Sequence, residues 1–254
     1  MRFENLIRFG GLQFAFVGAL MGQEIPPEKE LPFKKIRFTV SDAKTGKGLT
    51  RGVETIELND GVLSKNTTYW PVDDEKNIIQ DESCAFDVKT LRPRSYSFRN
   101  KFSGESVTMS GSGSSPWSEK IFYREAVNKP EVVTPFTWNP DIIIGKTLHH
   151  VIVRSWKLLS QGGARTFDLF VPMKRDQFKF RVVKKASPQK DDPRSMTVSL
   201  ELDNWALRQL APSMMFYYRE RDGLPVLERY EGPTTVVIDN DANRKVIIDF
   251  QYEI

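Results

Sequence analysis

Residues 245–253 read KVIIDFQYE, with Val246, Ile248, Phe250 and Tyr252 alternating against Lys245, Asp249, Gln251 and Glu253. A period of two is the mark of a strand with one face on a core and the other in water. The pattern recurs back along the chain. Met196, Val198, Leu200 and Leu202 oppose Thr197, Ser199 and Glu201, and Phe167, Leu169 and Val171 oppose Thr166 and Asp168. Tyr96, Phe98 and Phe102 oppose Ser95, Ser97, Arg99 and Lys101. The run Ile79 to Val88 alternates in the same way, and Ile36, Phe38 and Val40 share one side of a first strand.

Asp60-Gly61, Ser103-Gly104, Arg221-Asp222-Gly223 and Asp239-Asn240-Asp241 read as hairpin connections between such segments. Ser110 to Pro116 and Ser187 to Pro193 read as polar loops. Short connections between consecutive strands imply an antiparallel meander and not βαβ units.

One segment differs. After Asn139-Pro140, apolar residues fall at helical spacing through Ile144, Leu148, Val151, Ile152, Trp156 and Leu159, and Gly162-Gly163 follows. Asn139 suits a cap, Pro140 a first turn and the glycines a stop, so 141–160 reads as one helix, about 30 Å long at 1.5 Å per residue. A second, short helical piece is expected at Asn204 to Leu210.

Roughly ten strands at about 4.8 Å spacing make a sheet about 48 Å wide, whereas a helix is about 10–12 Å across. A flat sheet would leave most of its apolar face in water, at about 1.5–3 kcal/mol for each exposed Phe, Leu or Ile. The expected fold is therefore mainly β: an antiparallel curled sheet, an unclosed half-barrel, wrapped around one long helix. Such a partly filled hollow is a natural ligand cavity.

The bulk numbers agree with one folded domain. The chain has 254 residues, 39% hydrophobic, 28% charged and 11% aromatic, with 17 Phe. The net charge is +4 with both signs interspersed, unlike the segregated basic surface of a nucleic-acid binder. The densest basic stretch, Lys174 to Lys185, alternates with Phe178, Phe180 and Val182 and reads as a solvated strand face. No nucleic-acid partner is expected.

Arg2 and Arg8 followed by the apolar run Leu12 to Gly22 resemble a secretory signal peptide, with cleavage after Ala19 or Gly22. The run is shorter than the ~20 residues a spanning helix needs. Residues 1–22 are thus read as a signal peptide, 23–32 as a linker and 33–254 as one domain containing helix 141–160, in a periplasmic or envelope-associated protein.

The stretches GVETIELNDG (52–61), DESCAFDVKTLRPRSYSFRNKFSGE (81–105) and LDNWALRQLAPSMMFYYRERDGLPVLERYEGP (202–233) resemble a group of uncharacterised bacterial envelope proteins. These are similar to the unclosed-barrel superfamily that includes the lipoprotein carriers LolA and LolB. The resemblance covers most of the chain after about Arg51 and implies a half-barrel that takes an apolar ligand. It carries over no catalytic or binding residue, and Cys84 does not stand where a lipidated cysteine would.

Motifs for chemistry are sparse. The two histidines, His149 and His150, are adjacent on the helix and point about 100° apart, so they cannot chelate one ion from one face. One ring is expected in the core and the other at water. Asp239 to Asn243 opens like a calcium loop, but Arg244 and Phe250 replace the required Gly and Glu, so it reads as a hairpin turn. No metal site, cofactor or catalytic residue is expected, and the chain is read as a binding or structural domain rather than an enzyme. An enzyme with a carboxylate-based site in the concave face is the weakest of the readings. Tyr96, Phe98, Phe102, Trp156, Phe178, Phe180 and Met214 are the candidates for lining an apolar pocket between helix and sheet. The expected partner is an apolar small molecule or lipid, or else an envelope protein; the oligomeric state is left open.

Overall fold

The computed structural model describes residues 33–110, 118–138, 142–186, 192, 194–209, 212–234, 236 and 244–253. The segments read above as a signal peptide and linker, most of both polar loops, the Asn139-Pro140 cap and the calcium-like Asp239 to Asn243 run lie outside the described residues.

The first half of the chain contributes β1 (Lys35–Asp42), β2 (Gly48–Asn59), β3 (Val62–Pro71), β4 (Gln80–Asp87), β5 (Pro93–Asn100), β6 (Ser106–Ser110), β7 (Ser118–Arg124) and β8 (Val132–Thr137). The second contributes β9 (Ile142–Ile144), β10 (Ala164–Val171), β11 (Asp176–Lys185), β12 (Ser195–Leu202), β13 (Met214–Arg221), β14 (Leu224–Pro233) and β15 (Lys245–Glu253). Among the described residues these form one sheet in the order β8-β7-β6-β5-β4-β3-β2-β1-β15-β14-β13-β12-β11-β10-β9. Two meanders are thus joined side by side by the β1–β15 pair. The turns Asp60-Gly61 and Asp222-Gly223 carry positive φ at both residues (50° and 75°, 52° and 78°), the geometry of a tight hairpin matched to strand twist.

The sheet has fifteen strands, not ten. β8 and β10 are thirteen strand steps apart, roughly 62 Å in a flat sheet at about 4.8 Å per step. Yet the rings of Phe136 on β8 and Phe170 on β10 lie 4.2 Å apart, with Trp138 packed against both. The sheet therefore curls until its two ends meet through side chains, while β8 and β9 remain unpaired with each other.

The helical segment departs from the expectation in two ways. Ile142, Ile143 and Ile144 are extended and pair with β10 in parallel, the one parallel pair among the described residues. Three successive β-branched residues favour a strand over the helix their spacing suggested. Helical structure then runs as a 3₁₀ turn (Gly145–Thr147), α1 (Leu148–Arg154) and α2 (Trp156–Ser160). It is the crossover that a parallel pair requires, so β9, the helices and β10 form a βαβ unit inside an otherwise antiparallel sheet. The break at Ser155 leaves its N–H shared between the Val151 and Ile152 carbonyls, both at 3.1 Å.

α1 buries Leu148, His150, Val151, Ile152 and Val153, most of its circumference, as expected of a plug within a sheet. It packs into one core with inward residues from both halves, among them Ile36, Phe86, Phe98, Phe167, Val198 and Tyr218. Arg154 donates to the carbonyls of Val88 and Lys89 and ties the helix to the turn after β4. The expected short helix is α3 (Trp205–Arg208).

The convex face is charged. Arg229 pairs with Asp249 at 2.7 Å, Lys245 with Glu231 at 2.6 Å and Arg181 with Glu201 at 3.0 Å, each across neighbouring strands. A lipid-facing barrel carries an apolar band in that place. No helix among the described residues is long and apolar enough to cross a membrane.

Candidate functional site

The strand registers lay out the concave wall row by row. Tyr252, Ile36, Glu54, Thr67, Glu82, Phe98, Val107 and Tyr123 stand directly opposite one another on β15, β1, β2, β3, β4, β5, β6 and β7. Alternation that buries Gly52 and Ile56 also turns Glu54 inward, and alternation that buries Leu63 and Tyr69 does the same for Lys65 and Thr67. The middle of an apolar wall is therefore ionic.

Lys146, in the turn ahead of α1, reaches down onto this row. Its ammonium lies 3.0 Å from Glu54 and 3.2 Å from Glu82, and donates to the Thr67 hydroxyl. Thr67 donates in turn to Glu54 at 2.9 Å. Lys65 lies 3.7 Å from Glu54 and donates to the Lys146 carbonyl at 3.3 Å. Tyr96 donates to the other side of Glu82 at 3.0 Å. The cluster fastens the turn before the helix to three consecutive strands.

Burial opposes the charge on Glu54, but Lys146 and Lys65 outweigh it and hold the carboxyl down at about 2. Burial likewise opposes the charge on Lys146, and Glu82 and Glu54 overcome it, holding the ammonium well above the ordinary lysine range. Burial pushes Lys65 down against the pull of Glu54. Burial, with Glu82 beside it, pushes the Cys84 thiol up to about 12, so this cysteine is inert.

The turn at Gly145 to Leu148, together with Phe216, lines two hollows between helix and sheet. The larger has a volume of about 440 Å³. Its walls include Tyr96, Phe98, Leu169, Phe170, Phe180, Leu200, Met214 and Phe216, with Tyr69, Gln80, Glu82 and Lys146 at a polar end. Met173, Met214, Phe216 and Tyr230 in its lining are only half-buried, so it communicates with solvent. The smaller, about 160 Å³, lies against Glu54, Lys65, His149, Tyr218 and Tyr252.

Of the residues proposed from sequence, Tyr96, Phe98, Phe180 and Met214 line the larger hollow. Phe102 and Phe178 do not. Alternation would carry Phe102 inward if β5 continued, but the strand stops at Asn100, whose side-chain oxygen accepts from the N–H groups of Phe102 and Ser103, both at 2.9 Å. The turn leaves Phe102 57% exposed. Phe178 has the inward parity of Phe180 but sits at the start of β11, where it is 39% exposed. Trp156 packs edge-on against Tyr218, centroids 5.6 Å apart, outside the larger hollow's lining. Glu54, Lys65, Thr67, Tyr69, Gln80, Glu82 and Lys146 were not singled out from sequence.

His150 is fully buried, edge-on to Phe86. His149 stacks on Tyr218, with Nδ1 3.2 Å from its hydroxyl, and borders the smaller hollow rather than open solvent. Among the described residues no group of three or more His, Cys, Asp or Glu side chains is arranged to hold a metal ion.

No protein-family model and no curated protein sequence matches the chain. Among solved structures, that of a porin-like protein from Bacteroides uniformis is similar at a TM-score of 0.25 and 8% identity, over 88% of this chain and 99% of that one. At that level the similarity bears on neither ancestry nor function.

Proposed function

We propose that this is a binding protein of the bacterial envelope that holds one small apolar ligand, a lipid or acyl chain, in the hollow between sheet and helix. The observation that carries the reading is the 440 Å³ space walled by Phe98, Phe170, Phe180, Leu200, Met214 and Phe216 and open at a half-buried rim. That volume is about three times the ~150 Å³ cavity that takes up benzene, which sets the ligand at roughly 15–20 non-hydrogen atoms. The charged convex face and the apolar concave face put the affinity for apolar matter inside. The basic and apolar N-terminal sequence supports export.

The test is uptake of the uncharged dye N-phenyl-1-naphthylamine, with 17 non-hydrogen atoms, by the full chain. Saturable one-to-one binding with a blue-shifted emission is expected, and the cavity-filling variant Leu200→Trp should abolish it while its circular dichroism stays unchanged. No saturable uptake, or undiminished uptake by a folded Leu200→Trp, would refute the proposal.

A second reading is an interaction protein of the envelope. It is favoured by the outer edge of β8, which among the described residues pairs only with β7 and exposes Val132 and Val133. Charged substitutions at both valines should then abolish co-purification of a membrane partner and leave dye uptake intact.

A further inference from the structure

The polar end of the larger hollow also selects the head of the ligand, an inference that rests on the hollow being a ligand site. The ionic groups around it are already matched to each other. Lys146 and Glu82 line it, and Lys65 and Glu54 stand beside them at the smaller hollow, two cations and two anions, so the formal charges cancel. Lys146 is shared between both carboxylates and Thr67, and Glu82 is held by Lys146 and Tyr96. Gln80 is engaged as well, its oxygen accepting from Asn100 at 3.0 Å.

One further polar group belongs to this end. Tyr69 lines the hollow, its residue is only 7% exposed, and its hydroxyl feels both Lys146 and Glu82. A phenol at the wall can donate a hydrogen bond to a ligand and accept one from it.

An anionic head entering here would be buried beside Glu82 with no spare cation, since Lys146 is already shared between two carboxylates. A cationic head would meet Lys146 with both carboxylates already committed. Either leaves a charge uncompensated among apolar walls, which costs more than the hydrogen bonds return. A neutral head that both donates and accepts meets no such cost. It can donate to the remaining lone pairs of Glu82 and exchange a hydrogen bond with Tyr69.

We propose that the ligand is an uncharged amphiphile, an apolar chain or ring system ending in hydroxyl or ester groups, with its head on Tyr69 and Glu82, and that free fatty acids and alkylamines are discriminated against.

The experiment is displacement of N-phenyl-1-naphthylamine from the full chain by decanoylglycerol, decanoate and decylamine, each below its critical micelle concentration at neutral pH. Decanoylglycerol should displace the dye at a concentration about tenfold or more below the other two. Equal or better displacement by decanoate or decylamine would overturn the head-group assignment and leave the hollow as a ligand site. Absence of dye uptake would overturn both. Tyr69→Phe tests the head, with circular dichroism as the control for folding: affinity for decanoylglycerol should fall about five- to tenfold more than affinity for the dye. Unchanged affinity in that variant would overturn the role given to Tyr69.

Discussion

The ammonium of Lys146 lies 3.0 Å from Glu54 across 92 residues of sequence, joining the turn ahead of the helix to the concave wall of the sheet. Both side chains are buried, 12% and 14% exposed. Removing one partner strands the other's charge, so Lys146→Met should cost about 3–5 kcal/mol in urea unfolding. Adding Glu54→Gln to that variant should recover part of the loss, because fewer stranded charges remain. Simple additivity of the two substitutions would show that the pair is not coupled.

Acid should unfold the protein in two stages. Burial holds both imidazoles of α1 neutral, well below the ordinary value of 6.5. The unfolded chain takes up those protons first, so stability is complete above about pH 6.5 and declines below it, by about 1–3 kcal/mol at pH 5.5. Glu54 adds a second stage: its carboxyl is held at about 2 against an ordinary 4.5, so its contribution is intact above 4.5 and disappears as the pH falls towards 2. His150→Phe should roughly halve the upper stage, leaving the His149 share, and leave the lower one unchanged. Denaturant midpoints across the range measure both.

Gly52 lies opposite Phe38 in the β1–β2 register, and the Phe38 ring covers it. A Cβ there would collide with that ring and come within 2.9 Å of the Thr68 carbonyl. Gly52→Ala should therefore destabilise by about 1–3 kcal/mol, although alanine is ordinarily harmless in a strand. Gly145→Ala, whose Cβ would meet nothing within 4 Å, is the control and should change stability by less than about 0.5 kcal/mol.

The ion pairs of the convex face should matter little. Arg229 and Asp249 approach to 2.7 Å but are each about half-exposed. Arg229→Ala should cost less than about 1 kcal/mol, a loss that vanishes in high salt. A larger effect in thermal unfolding would mean that this face is covered in solution.

Much of the fold is legible in the sequence because alternation reports directly on which face is buried. Ile36, Phe38 and Val40, and Met196, Val198 and Leu200, occupy the inward positions their spacing assigns. Strands β2 and β3 are harder to read, since Lys65 and Thr67 take inward places between Leu63 and Tyr69, where an apolar residue would be expected. That irregularity is itself the signal of the ionic site: charges on the core parity of two strands joined by the Asp60-Gly61 turn. What no local pattern contains is the partner, because Lys146 arrives from the other half of the chain. The helix start is hidden in the sequence for a related reason. Ile144 fits both a helical stripe and a strand, and only pairing with Phe170 on β10 decides between them. Phe102 shows the limit of parity, which holds only until a side chain such as Asn100 turns the backbone.

The central claim is that the concave space holds the ligand, and the most direct test is a crystal structure of the protein grown with a monoacylglycerol brominated at the chain terminus. The account predicts an anomalous bromine peak inside the sheet, among Phe98, Phe180 and Leu200, with the glycerol head beside Tyr69. Bromine bound only on the convex face, or an interior without it at saturating ligand, would contradict the account.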